Sequence, residues 1–326
     1  MEQAAPNPAR IVNRLYPNIQ SNTRLWRNRN LSRFSPSAGA LLCLMAGAFL
    51  ISFSAVMVRL VAVGPATSAF YRMLIGGLAL ALWARLRGKS LWAGWPALGL
   101  ASLAGLLFAL DLALWHRAIP LLGPGLSTIL ANFQVFVVAG VGVLVLGERP
   151  GWRLAAAIPL AVFGLWLLVG VKWESLGDGY HYGVALGLLT ACAYGSYLLC
   201  LRWSMRRVGG LDPMANVALM SLVCAGLLLA ETWRSGESLV VNSAWDWAWL
   251  GVYGLACHAV GWVLISLGLK QVAASRAGLV LLLQPTLSFL WDVLFFGRPT
   301  TLVELGGALL AVTAIYLGAT GRPATE

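Results

Sequence analysis

The stretch PGLSTILANFQVFVVAGVGVLVL, residues 124–146, decides the class of this chain. It holds no charged side chain and opens on a Pro-Gly breaker. As a helix it is long enough to cross roughly 30 Å of hydrocarbon. Gly147-Glu148-Arg149-Pro150-Gly151 then ends the run with charge and two more breakers. Nine further windows read the same way, at 38–61, 65–85, 95–117, 152–171, 182–203, 213–233, 246–269, 275–296 and 301–319. Gly64-Pro65, Gly123-Pro124-Gly125, Gly209-Gly210 and Arg298-Pro299 punctuate them. The expectation is an all-α polytopic membrane protein with ten transmembrane helices. Composition agrees, since only 11% of the 326 residues are charged and 59% are hydrophobic. Soluble domains carry about 25% charged residues, so this chain has too little polar surface to cover itself in water.

A net charge of +11 would suggest nucleic acid in a soluble protein. Here the basic residues cluster between apolar runs, and no nucleic-acid partner is read from them. One side collects the tail (Arg10, Arg14, Arg24, Arg27, Arg29, Arg33), the 85–94 loop, Arg149, Arg153, Arg202, Arg206, Arg207, Lys270, Arg276 and Arg322. Arg59, Arg117, Lys172, Arg234 and Arg298 fall on the other, with most loop acids. The bias, about three to one, places both termini in the cytoplasm of an inner-membrane protein. An even helix count requires the same. No cleavable signal peptide is read before the first apolar run, and the basic tail is expected to be a disordered cytoplasmic anchor. The five cysteines all lie in apolar stretches with no CxxC or Cys/His pattern, so they read as packing residues.

An internal repeat accompanies the layout. Arg117–Glu148 can be laid on Leu267–Arg298 without a gap at an offset of 150, pairing Gln134 with Gln284 and Gly147 with Gly297. The first window lies on the sixth at an offset of 144, matching Gly39 to Gly183 and Ser52 to Ser196. Five helices per half is an odd number, so the second half is inverted in the membrane. Domains are expected at 1–37 (basic tail), 38–171 (helices 1–5), 182–319 (helices 6–10) and 320–326 (short tail). Inverted repeats typify secondary transporters, whose sites lie near the midplane between the halves.

At this point the sequence resembles the EamA-type branch of the drug/metabolite transporter superfamily. The matching residues are Phe70-Tyr71-Arg72-Met73, Val145-Leu146-Gly147-Glu148-Arg149 and Leu283-Gln284-Pro285, over residues 39 to 319. The resemblance implies a helical basket around a central cavity and mostly metabolite efflux: amino acids, their derivatives or other small metabolites. Other members import vitamins or cofactor-like solutes. The chain departs from the family pattern at Asn132-Phe133-Gln134-Val135, where a proline is common, and at Arg298, opposite Glu148 in the repeat.

Polar groups inside apolar spans are costly and mark cavities or partners. Gln284, Ser288 and Asp292 share a helix face at i, i+4, i+8, beside the breaker Pro285. Asn132 and Gln134 lie near the midplane of helix 4, with Thr128 one turn before Asn132. The repeat-related amides Gln134 and Gln284 suit the carboxylate or amine of a zwitterion, or serve as helix glue. Asp111 and Arg72 lie at similar depth and read as an ion pair, a binding pair or a coupling pair. His258 and Trp262 share a face, and Tyr194 and Tyr197 form a candidate aromatic wall. Asp292 is favoured over Asp111 as a proton-linked group, because Arg298 is expected beyond the membrane edge. Trp92, Trp95, Trp152, Trp245 and Trp247 read as interfacial belt.

There is no P-loop, Gly-x-Ser-x-Gly, HExxH or metal-ligand cluster, so no cofactor, metal or ATP-driven step is read. The expected partners are a small-molecule solute and membrane lipid. The reading is a secondary exporter of a small polar or zwitterionic metabolite: an amino acid, a derivative, or an amino-acid-derived metallophore. An importer or exchanger on the same fold is the alternative. An intramembrane enzyme or receptor would need a catalytic constellation or a large extramembrane domain.

Overall fold

The computed structural model describes residues 38–144, 151–170, 177–205, 211–269, 280–281 and 283–320. Prolines set several helix starts: Pro65, Pro96, Pro124 and Pro213 stand in first turns, where a missing N–H is no loss. The helices are α1 (Ala38–Leu60), α2 (Pro65–Leu86), α3 (Trp95–Leu122), α4 (Pro124–Ala131 and Gln134–Leu144) and α5 (Trp152–Leu165, with a π turn Trp166–Gly170). The second set is α6 (Asp178–Met205), α7 (Pro213–Arg234), α8 (Ala244–Val252, Tyr253–Val260 and Gly261–Leu269), α9 (Leu283–Phe296) and α10 (Leu302–Thr320). No strand occurs among the described residues. Seven of these helices are long and apolar enough to cross a membrane, and α5 and α10 are shorter apolar rods. The ten-helix expectation holds, with α3 running on through Pro120 to Leu122. The Val145–Arg149 landmark, the 206–210 and 270–279 segments and both tails lie outside the described residues.

The packing is that of two inverted repeats. Counterpart helices pack on each other: α2 on α7, α4 on α9 and α5 on α10. The largest of the remaining contacts come in mates. The α1–α8 pair answers α6–α3, α2–α8 answers α7–α3, and α1–α9 answers α6–α4. Small residues allow the close approaches. A Cβ on Gly47 would sit 2.9 Å from the Gly261 carbonyl of α8, and one on Gly183 would sit 2.9 Å from Leu121 of α3. Trp92, Trp95, Trp152, Trp245 and Trp247 are exposed near helix ends, as an interfacial belt requires.

Carboxylates tie the halves together at one end. Gly64 cannot cap α2 with a side chain, so Glu237 does so from the α7–α8 connection. Its oxygens accept from Ala66 N (3.2 Å) and Thr67 N (2.8 Å). A Cβ on Gly64 would collide with the Glu237 carboxylate, so the cap needs glycine there. Asp246 accepts from Ala62 N at 3.0 Å, and Arg117 of α3 joins Glu231 and Arg234 of α7. Glu237→Ala is expected to destabilise the fold by about 1–2 kcal/mol, the scale of a lost cap. The check is the thermal midpoint in detergent, where an unchanged midpoint would show that the cap is dispensable.

Candidate functional site

Three helices lose regular geometry at the same depth. α1 is broken at Phe53, whose ring stacks on Trp291 of α9 at 4.7 Å. α4 is broken at Asn132-Phe133, where Asn132 Nδ2 returns to the Thr128 carbonyl at 2.9 Å. α8 carries the π-helical stretch Tyr253–Val260. Irregular backbone survives at membrane depth only where it is buried in protein or lines a cavity. Here the breaks in α1 and α4 border a cavity of about 270 Å³ between the halves, and the π stretch of α8 packs on α2 behind it.

The lining includes Arg72, Asp111, Trp115, Thr128, Asn132, Gln134, Tyr194, Trp262, Gln284 and Ser288. Eight of the side chains singled out from sequence therefore meet in one place: Arg72, Asp111, Asn132, Gln134, Tyr194, Trp262, Gln284 and Ser288. Three do not line it. Tyr197 is fully buried behind Tyr194, stacked on Phe108 at 4.4 Å. An i, i+3 pair diverges by about 60° around a helix, so one tyrosine faces the cavity and the other the core. His258 is fully buried behind Phe108 and hydrogen-bonded to Ser221 of α7 at 3.0 Å. Asp292 lies one turn beyond Ser288, at the end marked by the α3–α4 turn.

Arg72 and Asp111 share the cavity wall, but among the described residues no ion pair joins them within 4.0 Å. Arg72 Nη1 instead donates to the Tyr253 hydroxyl at 3.0 Å, and that hydroxyl lies 3.0 Å from His116 Nε2. His116 Nδ1 lies 2.9 Å from the Leu112 carbonyl, which can only accept. Nδ1 therefore carries a proton, and in the neutral ring Nε2 accepts from Tyr253. Sequence reading missed His116 and Tyr253. Neither shares a helix face with a polar residue that drew notice, and their partnership crosses 137 positions of chain.

The Asp292 end differs from expectation. Asp292 is 1% exposed and accepts from Gly125 N at 3.1 Å. Arg298 Nη1 lies 3.4 Å from its Oδ2 and donates to the Leu122 carbonyl at 2.8 Å. Arg59 of α1 reaches Oδ1 at 4.0 Å. Arg298, expected beyond the membrane edge, reaches Asp292 because the α9–α10 connection folds back over the helix end. Gly123, with φ +87° and a hypothetical Cβ that would collide with the Asp292 carboxylate, is a position suited to glycine. Deeper in, Thr128 and Ser288 join α4 to α9 at 3.1 Å.

A pseudo-symmetric ten-helix bundle with broken helices and a central cavity that gathers several polar side chains defines the class of membrane solute carriers. The model of the EamA-like transporter family matches residues 38–170 and 181–320, and the chain belongs to that family. It is 28% identical to an uncharacterized transporter, YwfM, of Bacillus subtilis (strain 168), over 79% of this chain and 86% of that one. An uncharacterized transporter of Archaeoglobus fulgidus is 27% identical over 51% of this chain and 57% of its own. A protein crystal structure superposes with a TM-score of 0.62 at 20% identity, over 86% of this chain and 96% of that one, a likeness of fold.

Proposed function

We propose that the chain is an inner-membrane secondary transporter that exports a small zwitterionic metabolite through the central cavity. The observation that carries the reading is one cation and one anion, Arg72 and Asp111, on a single cavity wall without an ion pair between them. Buried charges left apart cost several kcal/mol each, and a solute bearing both signs would satisfy both. The cavity volume of about 270 Å³ sits just under the roughly 300–1,000 Å³ of sites for drug-sized ligands. That favours a solute of amino-acid size. Gln134 and Gln284 flank it as repeat-related amides.

Orientation follows the loop charges, with both termini cytoplasmic. The domain layout follows the repeat, at 38–171 and 182–319. Outward direction follows the efflux that the family resemblance implies. On this reading the Asp292 cluster is the outer seal. Two guanidiniums and the Gly125 N–H converge on its carboxylate and tie α1, α4 and the α9–α10 connection together there, which suits a latch.

Gln134→Leu and Gln284→Leu are expected to cut transport of a labelled amino-acid and amino-acid-derivative panel at least tenfold. The measurement is flux in proteoliposomes, with insertion and thermal midpoint as controls. Amide-to-Leu swaps remove hydrogen bonds at little change in volume, so recognition is lost before packing. Wild-type flux in both variants would make these residues packing glue. Accumulation of the panel against its gradient from the outer side would reverse the assigned direction.

A further inference from the structure

The cavity wall holds buried donors that the fold itself does not use. Arg72 is 4% exposed and Trp115 8%, yet Arg72 Nε and Trp115 Nε1 have no hydrogen-bond partner. Both side chains line the cavity, and the guanidinium carbon lies 5.9 Å from the Trp115 ring centre. An unmade buried N–H costs about 1–3 kcal/mol, and more for a charged donor in a medium with no water to replace the partner. Cation–π contact with Tyr253 at 4.9 Å steadies the guanidinium but leaves Nε without an acceptor.

The rest of the arrangement fixes the orientation of Arg72. Its Nη1 is held by the Tyr253 hydroxyl, Tyr253 by His116, and His116 by the Leu112 carbonyl. Tyr253 reaches this position because α2 and α8 nearly touch. A Cβ on Gly76 would meet the Gly254 carbonyl at 2.8 Å, and one on Gly254 the Arg72 carbonyl at 3.2 Å. The three-residue chain is buried and turns one edge of the guanidinium into a fixed element of the wall.

We infer that Arg72 Nε and Trp115 Nε1 form a carboxylate subsite of the cavity, with Tyr253 and His116 as residues that position Arg72. A carboxylate supplies acceptor oxygens for both donors and the charge that the guanidinium lacks. The subsite deepens the zwitterion reading and rests on it, by assigning which end of the solute meets which wall.

The test uses three probes of one size: alanine, alaninamide and propionate. Binding to the purified full chain in detergent is followed by thermal shift and by tryptophan fluorescence. Alanine is expected to bind at least tenfold more tightly than alaninamide. Trp115→Phe keeps the ring and removes one N–H. It is expected to weaken alanine and propionate about tenfold and leave alaninamide unchanged. Tyr253→Phe is expected to weaken alanine and leave alaninamide unchanged, and also to lower the thermal midpoint, because Arg72 Nη1 and His116 Nε2 lose their buried partner. The wild-type comparison stands even where a variant fails to fold. Equal binding of alaninamide and alanine would overturn the subsite alone, leaving a transporter whose cavity reads other features. Binding of none of the three probes would overturn the subsite together with the small-zwitterion reading.

Discussion

Asp111→Asn is expected to lower flux of amine-bearing solutes by about a hundredfold while the thermal midpoint stays level or rises. Asp111 is 6% exposed, lines the cavity, and among the described residues accepts no hydrogen bond and makes no ion pair. A carboxylate in that position weakens the empty protein, because burial disfavours a charge that has neither a hydrogen bond nor a contact ion pair. Asparagine has nearly the same shape and removes that charge, so packing survives. What is lost is the charge-assisted contact to an ammonium group, roughly 1.5–3 kcal/mol. A hundredfold corresponds to about 2.7 kcal/mol, within that range. The paired readout separates the roles: a structural acid would lower the midpoint, while a binding acid lowers flux alone. Full flux at a wild-type midpoint would remove Asp111 from the site.

The second large effect is expected at the other carboxylate. Asp292→Asn should raise labelling of a cysteine placed at Thr128 by an impermeant thiol reagent added outside, about tenfold over the Thr128→Cys parent. Asp292 joins α9 to the α3–α4 turn through Gly125 N, and two arginines converge on it. Contacts to a charged group are worth about 1.5–3 kcal/mol each, and about 1.4 kcal/mol of lost preference shifts a closed-open equilibrium tenfold. Thr128 lines the cavity one turn inside the seal, so its exposure reports the seal directly. If Asp292 carried protons instead, the variant would lose acceleration by a pH gradient with labelling unchanged.

Hydropathy and charge made the helices legible, because residence in lipid is written in side-chain transfer energies along each span. They did not reveal where helices break. Phe53 and Val252 sit inside runs as apolar as their neighbours, and the interruptions there depend on which carbonyl each N–H reaches. Asn132 was the exception, since a polar residue at the usual proline position drew attention to α4. The site was legible where polar residues shared one helix face, as Gln284 and Ser288 do. It was illegible where the argument needed two helices at once. Arg72 and Asp111 were matched in depth from sequence, but Arg72 turned to Tyr253, a residue whose aromatic body let it pass as core. His258 read like His116 would have, a lone histidine in a span, yet it packs on Ser221 behind the wall.

The mating of contacts between the halves has an energetic corollary. When inverted halves trade shapes, the α2–α7 and α5–α10 seams map onto themselves, so their side chains weigh equally on both access states. The α1–α8 seam, by contrast, takes on the geometry that α6–α3 had. A strictly duplicated chain would have two degenerate conformations, and this one breaks the degeneracy through the differences between those two seams. Gly47 and Gly261 allow backbone contact on one, while Gly183 meets the leucine side chains of Leu121 and Leu122 on the other. On the carrier reading, the resting state is thus an inequality between two homologous interfaces.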